Sequence, residues 1–178
     1  PKDDLDLTEN TQPAIFLVSY CIYKMIKLKK KNILNNIKFY AGHSLGEYSA
    51  LAACNSIGFE EALKLLQIRG KSMQSAVPKG QGGMIAVLGT DIMNIKDILN
   101  NNNKKYECFI ANDNSVGQVV VSGKTNDIYL FSEDLKKAKI KNIKLQVSAP
   151  FHCKLMSPAT EIMKNEISKI DFKDSEKN

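Results

Sequence analysis

Ile37-Lys38-Phe39-Tyr40-Ala41-Gly42-His43-Ser44-Leu45-Gly46-Glu47 is the stretch that decides the reading of this chain. Residues 37–41 are a short apolar run and predict a parallel strand. Glu47 to Ala53 carries a helical pattern. A strand, a tight turn with glycine on either side of a serine, and a helix make the setting of a nucleophile elbow. Side chains at Gly42 and Gly46 are expected to collide with the neighbouring strand and helix. The Ser44 hydroxyl would then stand at the tip of the turn beside a helix N-terminus. There the next backbone N–H can face a developing oxyanion. The pentapeptide by itself suits an ordinary serine in a tight turn equally well, so the rest of the chain has to decide.

The chain has 178 residues and is 43% hydrophobic, enough for one domain or one domain with an inserted lobe. No apolar run approaches the roughly 18 residues of a membrane span. Pro1-Lys2-Asp3-Asp4 is polar and acidic, unlike a signal peptide. The net charge is +6, but 24 of the 25 basic residues are lysine and asparagine is abundant, a skew expected of an AT-rich genome. With no arginine cluster and no basic-aromatic interleaving, the charge does not indicate nucleic acid. It suits an acidic protein or a phosphate-bearing partner. Cys21, Cys54, Cys108 and Cys153 are widely spaced, and there are only two histidines. A structural zinc site is not expected, and the cysteines read as buried free thiols in a reducing compartment.

Taken in order, residues 1–10 read as a lead-in. Thr11 is expected to cap a helix with Pro13 in its first turn. Ala14, Val18, Cys21, Ile22, Met25 and Leu28 form its expected inward stripe. Asn32 to Asn36 reads as a turn before the strand. After the serine turn, a long helix is expected from about Phe59 to Ala76, with Ala62, Leu63, Leu66, Gly70, Met73 and Val77 inward. Arg69, the single arginine, borders that apolar face. Its planar fork can bind a carboxylate through two hydrogen bonds, which lysine cannot imitate.

The Gly-rich stretch 80–83 reads as a hinge. Beyond it the pattern predicts a strand at 84–89, a helix at 91–100, strands at 106–112 and 118–122, a helix from Thr125 or Asn126, and a strand at 143–147. That β-α-β-β-α-β order is the ferredoxin-like arrangement. The fold expected is therefore α/β: an α/β-hydrolase-like large lobe, residues 1–80 and 147–178, with an inserted ferredoxin-like lobe, residues 81–146. A serine needs a base to take its proton. His43 adjoins Ser44, but neighbouring side chains in such a turn point in different directions. His152, in Pro150-Phe151-His152-Cys153, lies on a late loop of the kind that commonly delivers the base. Ser157-Pro158 then opens a last helix to about residue 169, and the tail 173–178 is expected to be loose.

Several motifs in order carry a resemblance over nearly the whole chain. They are Thr11-Gln12-Pro13-Ala14, Gly42-His43-Ser44-Leu45-Gly46-Glu47-Tyr48, Arg69-Gly70-Lys71-Ser72-Met73-Gln74, Gly117-Gln118-Val119-Val120-Val121-Ser122-Gly123 and Pro150-Phe151-His152-Cys153. The chain resembles the malonyl-CoA:acyl carrier protein transacylases of type II fatty acid synthesis. The resemblance implies that Ser44 attacks the malonyl thioester and that His152 takes its proton and returns it to the departing CoA thiol. It implies that the Leu45 N–H supplies half of the oxyanion hole and that Arg69 pairs with the free malonyl carboxylate. Phe151 would crowd an α-methyl branch, Met73 would line the pocket, and His43 joins the substrate-binding set.

No bound cofactor or metal is implied. Malonyl-CoA is the substrate, and an acidic acyl carrier protein, bringing phosphopantetheine, is the partner of a monomeric enzyme. Members of that family are longer, so the chain reads as starting and stopping inside the family pattern. The implied location is the bacterial cytoplasm or the stroma of a plastid of apicoplast type. Two other readings share some of these residues: a serine esterase or thioesterase, and a non-catalytic carrier-protein-binding fragment.

Overall fold

The computed structural model describes residues 2–147 and 149–175. Pro1, Ser148 at the start of the histidine loop and residues 176–178 of the tail lie outside them. The chain forms two compact units, Pro1–Ser72 with Glu161–Asn178, and Met73–Thr160.

The first unit is helical. A single turn, α1 (Lys2–Leu5), leads into α2 (Thr8–Lys29), followed by α3 (Lys31–Asn35), α4 (Gly46–Ala53) and most of α5 (Phe59–Ala76). Helix α2 begins about one turn before the expected cap. Thr11 is already inside it, its hydroxyl donating to the carbonyls of Leu5 and Leu7, and Pro13 is interior. A proline at that depth removes the bond its N–H would have made to residue 9. The expected turn at 32–36 is mostly the short helix α3.

The inward face of α2 is also different from the expected one. Thr8, Gln12 and Phe16 are buried at every fourth residue, and Tyr20 and Tyr23 continue the line half-buried. Val18, Cys21, Ile22, Met25 and Leu28 are exposed, and Ala14 is half-buried. The helix is apolar on more than one side, so periodicity alone cannot choose a face. Aromatic packing chooses it: the Phe16 ring lies 5.5 Å from Phe59, and Tyr20 lies 4.7 Å from Phe59. These rings join Ala52, Ile57, Ala62, Leu65, Leu66 and Met163 in one core. Helices α2 and α5 approach closely because residue 70 is glycine. A Cβ there would stand 2.5 Å from the Glu9 Cα and 2.7 Å from the Thr8 carbonyl oxygen.

Residues 37–42 form no ladder. The described residues contain one sheet, it lies in the second unit, and all its pairings are antiparallel. The parallel strand expected at 37–41 thus has no partner among the described residues. The tail is pinned further than expected, since the Ser56 hydroxyl donates to the Lys173 carbonyl and the Lys173 N–H donates to the Ser56 carbonyl.

The second unit runs β1 (Gly82–Leu88), α6 (Ile92–Asn101), β2 (Cys108–Ser115), β3 (Gln118–Lys124), α7 (Thr125–Lys137) and β4 (Lys141–Lys144), with sheet order β2-β3-β1-β4. A 3-10 turn, Lys154–Met156, then leads into α8 (Ser157–Ile167), whose later residues belong to the first unit. Asp91 caps α6 by accepting from the Asn94 N–H at 2.8 Å. Strand β1 is buried on both faces. Ile85 and Val87 pack with Val119, Val121, Ile128, Phe131 and Leu135, while Met84, Ala86 and Val120 meet Leu145, Val147 and Phe151 on the opposite side. Expected strand 143–147 is shorter and earlier.

Candidate active site

Ser44 sits at φ 54°, in the left-handed region that a side chain occupies at a cost of about 1–3 kcal/mol. The turn is closed by Gly46 N–H to His43 O at 2.9 Å and Glu47 N–H to Ser44 O at 3.2 Å. Gly42 is indispensable to it, because a Cβ there would fall 2.0 Å from the carbonyl carbon and oxygen of Gly46. The collision is with the turn's own backbone rather than with a neighbouring strand. A Cβ at Gly46 would meet nothing within 4 Å, so the expected clash there does not occur. Leu45 is half-buried and caps α4. No acceptor among the described residues takes its N–H. His43 is exposed on the same turn.

Arg69, half-buried on α5, reaches this turn. Its Nη2 donates to the Ser44 Oγ at 3.1 Å, and its Nη1 donates to the Gln12 Oε1. Gln12 in turn donates through Nε2 to the Thr8 hydroxyl at 2.9 Å. Burial lowers the Arg69 pKa, opposed by the nearby Tyr48 and Glu47. Burial likewise raises the Tyr48 phenol, against the pull of Arg69. A guanidinium stays charged under such pressure. It therefore presents a fixed positive group beside the Ser44 oxygen.

The other expected site residues belong to the second unit. His152 is exposed, at φ 57°. Its loop is anchored by Pro150, which is fully buried against Gly82, where a Cβ would lie 2.2 Å from the proline ring. The Phe151 N–H donates to the Ala149 carbonyl and the Cys153 thiol donates to the Pro150 carbonyl, each at 3.1 Å. Phe151 packs against the cluster that contains Met73, Val77, Ala149, Met156 and Ala159. The structure thus brings Ser44, Leu45 and Arg69 together in one unit, and Met73 with Phe151 in the other. Four non-glycine residues among those described have positive φ, and Ser44 and His152 are two of them. Such strain gathers at functional positions.

Gln12 is the site residue that sequence reasoning did not assign a role. Its signal was present as a polar residue between Thr8 and Phe16 at i, i+4, i+8 spacing, but only if that face is known to be the buried one. Among the described residues, no group of three or more His, Cys, Asp or Glu is placed to hold a metal. No described helix is long and apolar enough to cross a membrane. Among the cysteines, Cys21 is exposed, unlike the buried thiol expected.

A model of the acyl transferase domain matches residues 1–177. The chain belongs to the acyl transferase domain family. Its relatives include the malonyl CoA-acyl carrier protein transacylase of Bacillus subtilis, 39% identical over 176 residues, which cover 98% of this chain and 54% of the relative. Among solved structures, this acyl transferase domain superposes on the acyl-carrier-protein-S-malonyltransferase of Bartonella henselae. The TM-score is 0.91 at 39% identity, covering 98% of this chain and 56% of the other. It also matches a malonyl-transacylase solved in complex with a type II PKS acyl-carrier protein, with TM-score 0.88, 33% identity, and 99% and 57% coverage. The chain spans about half the length of the relatives it matches.

Proposed function

We propose that the protein carrying this acyl transferase domain moves a malonyl group from malonyl-CoA to the phosphopantetheine thiol of an acyl carrier protein. The observation that carries the proposal is the Arg69 guanidinium on the Ser44 hydroxyl at 3.1 Å. A nucleophile and a cation that can bind a carboxylate stand together in a family of acyl transferases.

In this reading the 42–46 turn is a nucleophile elbow. Ser44 Oγ attacks the thioester carbon while His152 accepts its proton. The tetrahedral oxyanion draws on the Leu45 N–H, which has no other acceptor among the described residues. Collapse breaks the carbon–sulfur bond, and His152 returns the proton to the CoA thiolate. The carrier thiol then attacks the malonyl-serine ester by the same route in reverse. Arg69 holds the free carboxylate, so a dicarboxylic acyl group is selected over acetyl. Met73, Phe151 and His43 border the acyl group, and the bulk of Phe151 disfavours an α-methyl branch.

The remaining parts of the proposal are architectural. Residues 81–146 form a ferredoxin-like lobe inserted into an α/β-hydrolase-like one of residues 1–80 and 147–178; the βαββαβ order and the β2-β3-β1-β4 sheet support the first of these lobes. The protein acts as a monomer in a bacterial cytoplasm or plastid stroma, with no bound cofactor.

The test is mass spectrometry of the full-length protein mixed with malonyl-CoA. A malonyl adduct on Ser44, chased off by holo carrier protein, is expected. An adduct elsewhere, or none, overturns the proposal. Rapid release of free malonate without carrier protein would instead make the protein a thioesterase.

A further inference from the structure

We infer that Gln12, held by Thr8, is the residue that sets the plane of the Arg69 guanidinium at Ser44. The inference about substrate preference rests on the malonyl reading above; the structural part does not.

Helix α2 buries an amide and a hydroxyl where its next inward position is Phe16. Gln12 is 3% exposed and Thr8 7%. Burying such groups costs free energy unless their hydrogen bonds are satisfied. Here the chain of donors and acceptors has only one self-consistent direction. A guanidinium can only donate, so the Gln12 carbonyl oxygen must face Arg69. The amide nitrogen is then left to donate to the Thr8 hydroxyl, 2.9 Å away. The α2–α5 crossing at Gly70, next to Arg69 in sequence, allows the approach, since a Cβ at that residue would overlap Thr8 and Glu9.

An arginine side chain is long and loses much rotamer freedom when fixed. Gln12 takes one N–H of Nη1 and Ser44 takes one N–H of Nη2. Each terminal nitrogen keeps a second N–H, and the Nε–H remains. The guanidinium can therefore accept a carboxylate without releasing Gln12. Ser44 is the partner that can be exchanged, and Gln12 is the anchor. This makes Gln12 a positioning residue acting through Arg69.

Two variants test it. Gln12→Leu removes the acceptor at similar size. Gln12→Glu keeps an acceptor but places a second carboxylate on the guanidinium. The first readout is a 15N spectrum of the arginine side chain. Arg69 is the single arginine in these 178 residues, and its signals are identified by their loss in Arg69→Lys. The wild type and Gln12→Glu should show distinct, slowly rotating Nη groups, and Gln12→Leu should show averaged ones. Unchanged Nη signals in Gln12→Leu overturn the inference.

The second readout is kcat/KM for malonyl and acetyl transfer by the full-length protein. Gln12→Leu should lower malonyl transfer about tenfold or more, in line with a lost bond to a charged group, and change acetyl transfer far less. Gln12→Glu should lower malonyl transfer further although its guanidinium remains anchored. Equal losses for both acyl groups would mean a merely structural glutamine and would overturn the inference. Failure of the wild type to transfer malonyl would sink the functional proposal and leave the spectroscopic test intact.

Discussion

At the scale of single residues, Arg69 divides its donors between a buried amide and the Ser44 hydroxyl. A lysine ammonium could meet one of these partners but lacks the flat fork that spans both. Arg69→Lys should therefore lower malonyl kcat/KM about tenfold to a hundredfold, as expected when charge-assisted hydrogen bonds are lost. Acetyl transfer should change little. Steady-state kinetics with both thioesters checks this, and a parallel fall in the two would remove the carboxylate role from Arg69. Sequence made Arg69 conspicuous because it is the sole arginine beside an apolar face. It could not reveal Gln12, because the buried face of α2 is selected by Phe59, elsewhere in the unit, packing on Phe16 and Tyr20.

At the scale of elements, the serine turn depends unequally on its two glycines. Gly42 faces the backbone of Gly46 at 2.0 Å, whereas Gly46 faces open space at the start of α4. Gly42→Ala should destabilise the protein by about 1–3 kcal/mol or more, since backbone must move to admit the methyl. Gly46→Ala should be neutral or stabilise by about 0.5–1 kcal/mol, because alanine loses less conformational freedom on entering a helix. Denaturant midpoints of the two variants separate these outcomes, and equal losses would refute the asymmetry. The G-x-S-x-G pattern was legible as a turn. Which glycine bears the steric load was not, because that depends on how the turn folds back on itself.

At the scale of the molecule, the second unit buries Tyr106 and partly buries Cys108, two groups that titrate at alkaline pH. Burial pushes the Cys108 thiol up to about 12, with Asp127, Cys153 and Glu107 adding to it. Burial pushes Tyr106 up to about 12 as well, aided by Asp134. Both folded pKa values lie above their unfolded values of 9.0 and 10.0. The stability tied to their neutral forms is thus complete below about pH 9 and is lost as pH rises toward 12. Urea midpoints should fall between pH 8 and pH 10.5, and Cys108→Ala should make that fall shallower. An unchanged slope in the variant would show that the thiol is not held neutral by the fold.

What the sequence determined by itself was local and periodic. The βαββαβ order of the second unit was readable because its helices carry apolar residues at helical spacing and its central strands are short continuous apolar runs. The serine turn was readable because so tight a closure needs the missing side chain of Gly42. The tertiary structure alone decided which side of α2 is buried, since several of its sides are apolar and only ring packing on Phe59 breaks the tie. It alone decided whether 37–41 joins a ladder, because a strand's hydrogen bonds belong to its neighbours. It alone joined Thr8, Gln12, Arg69 and Ser44, three separate segments whose contact depends on the room that Gly70 leaves between two helices.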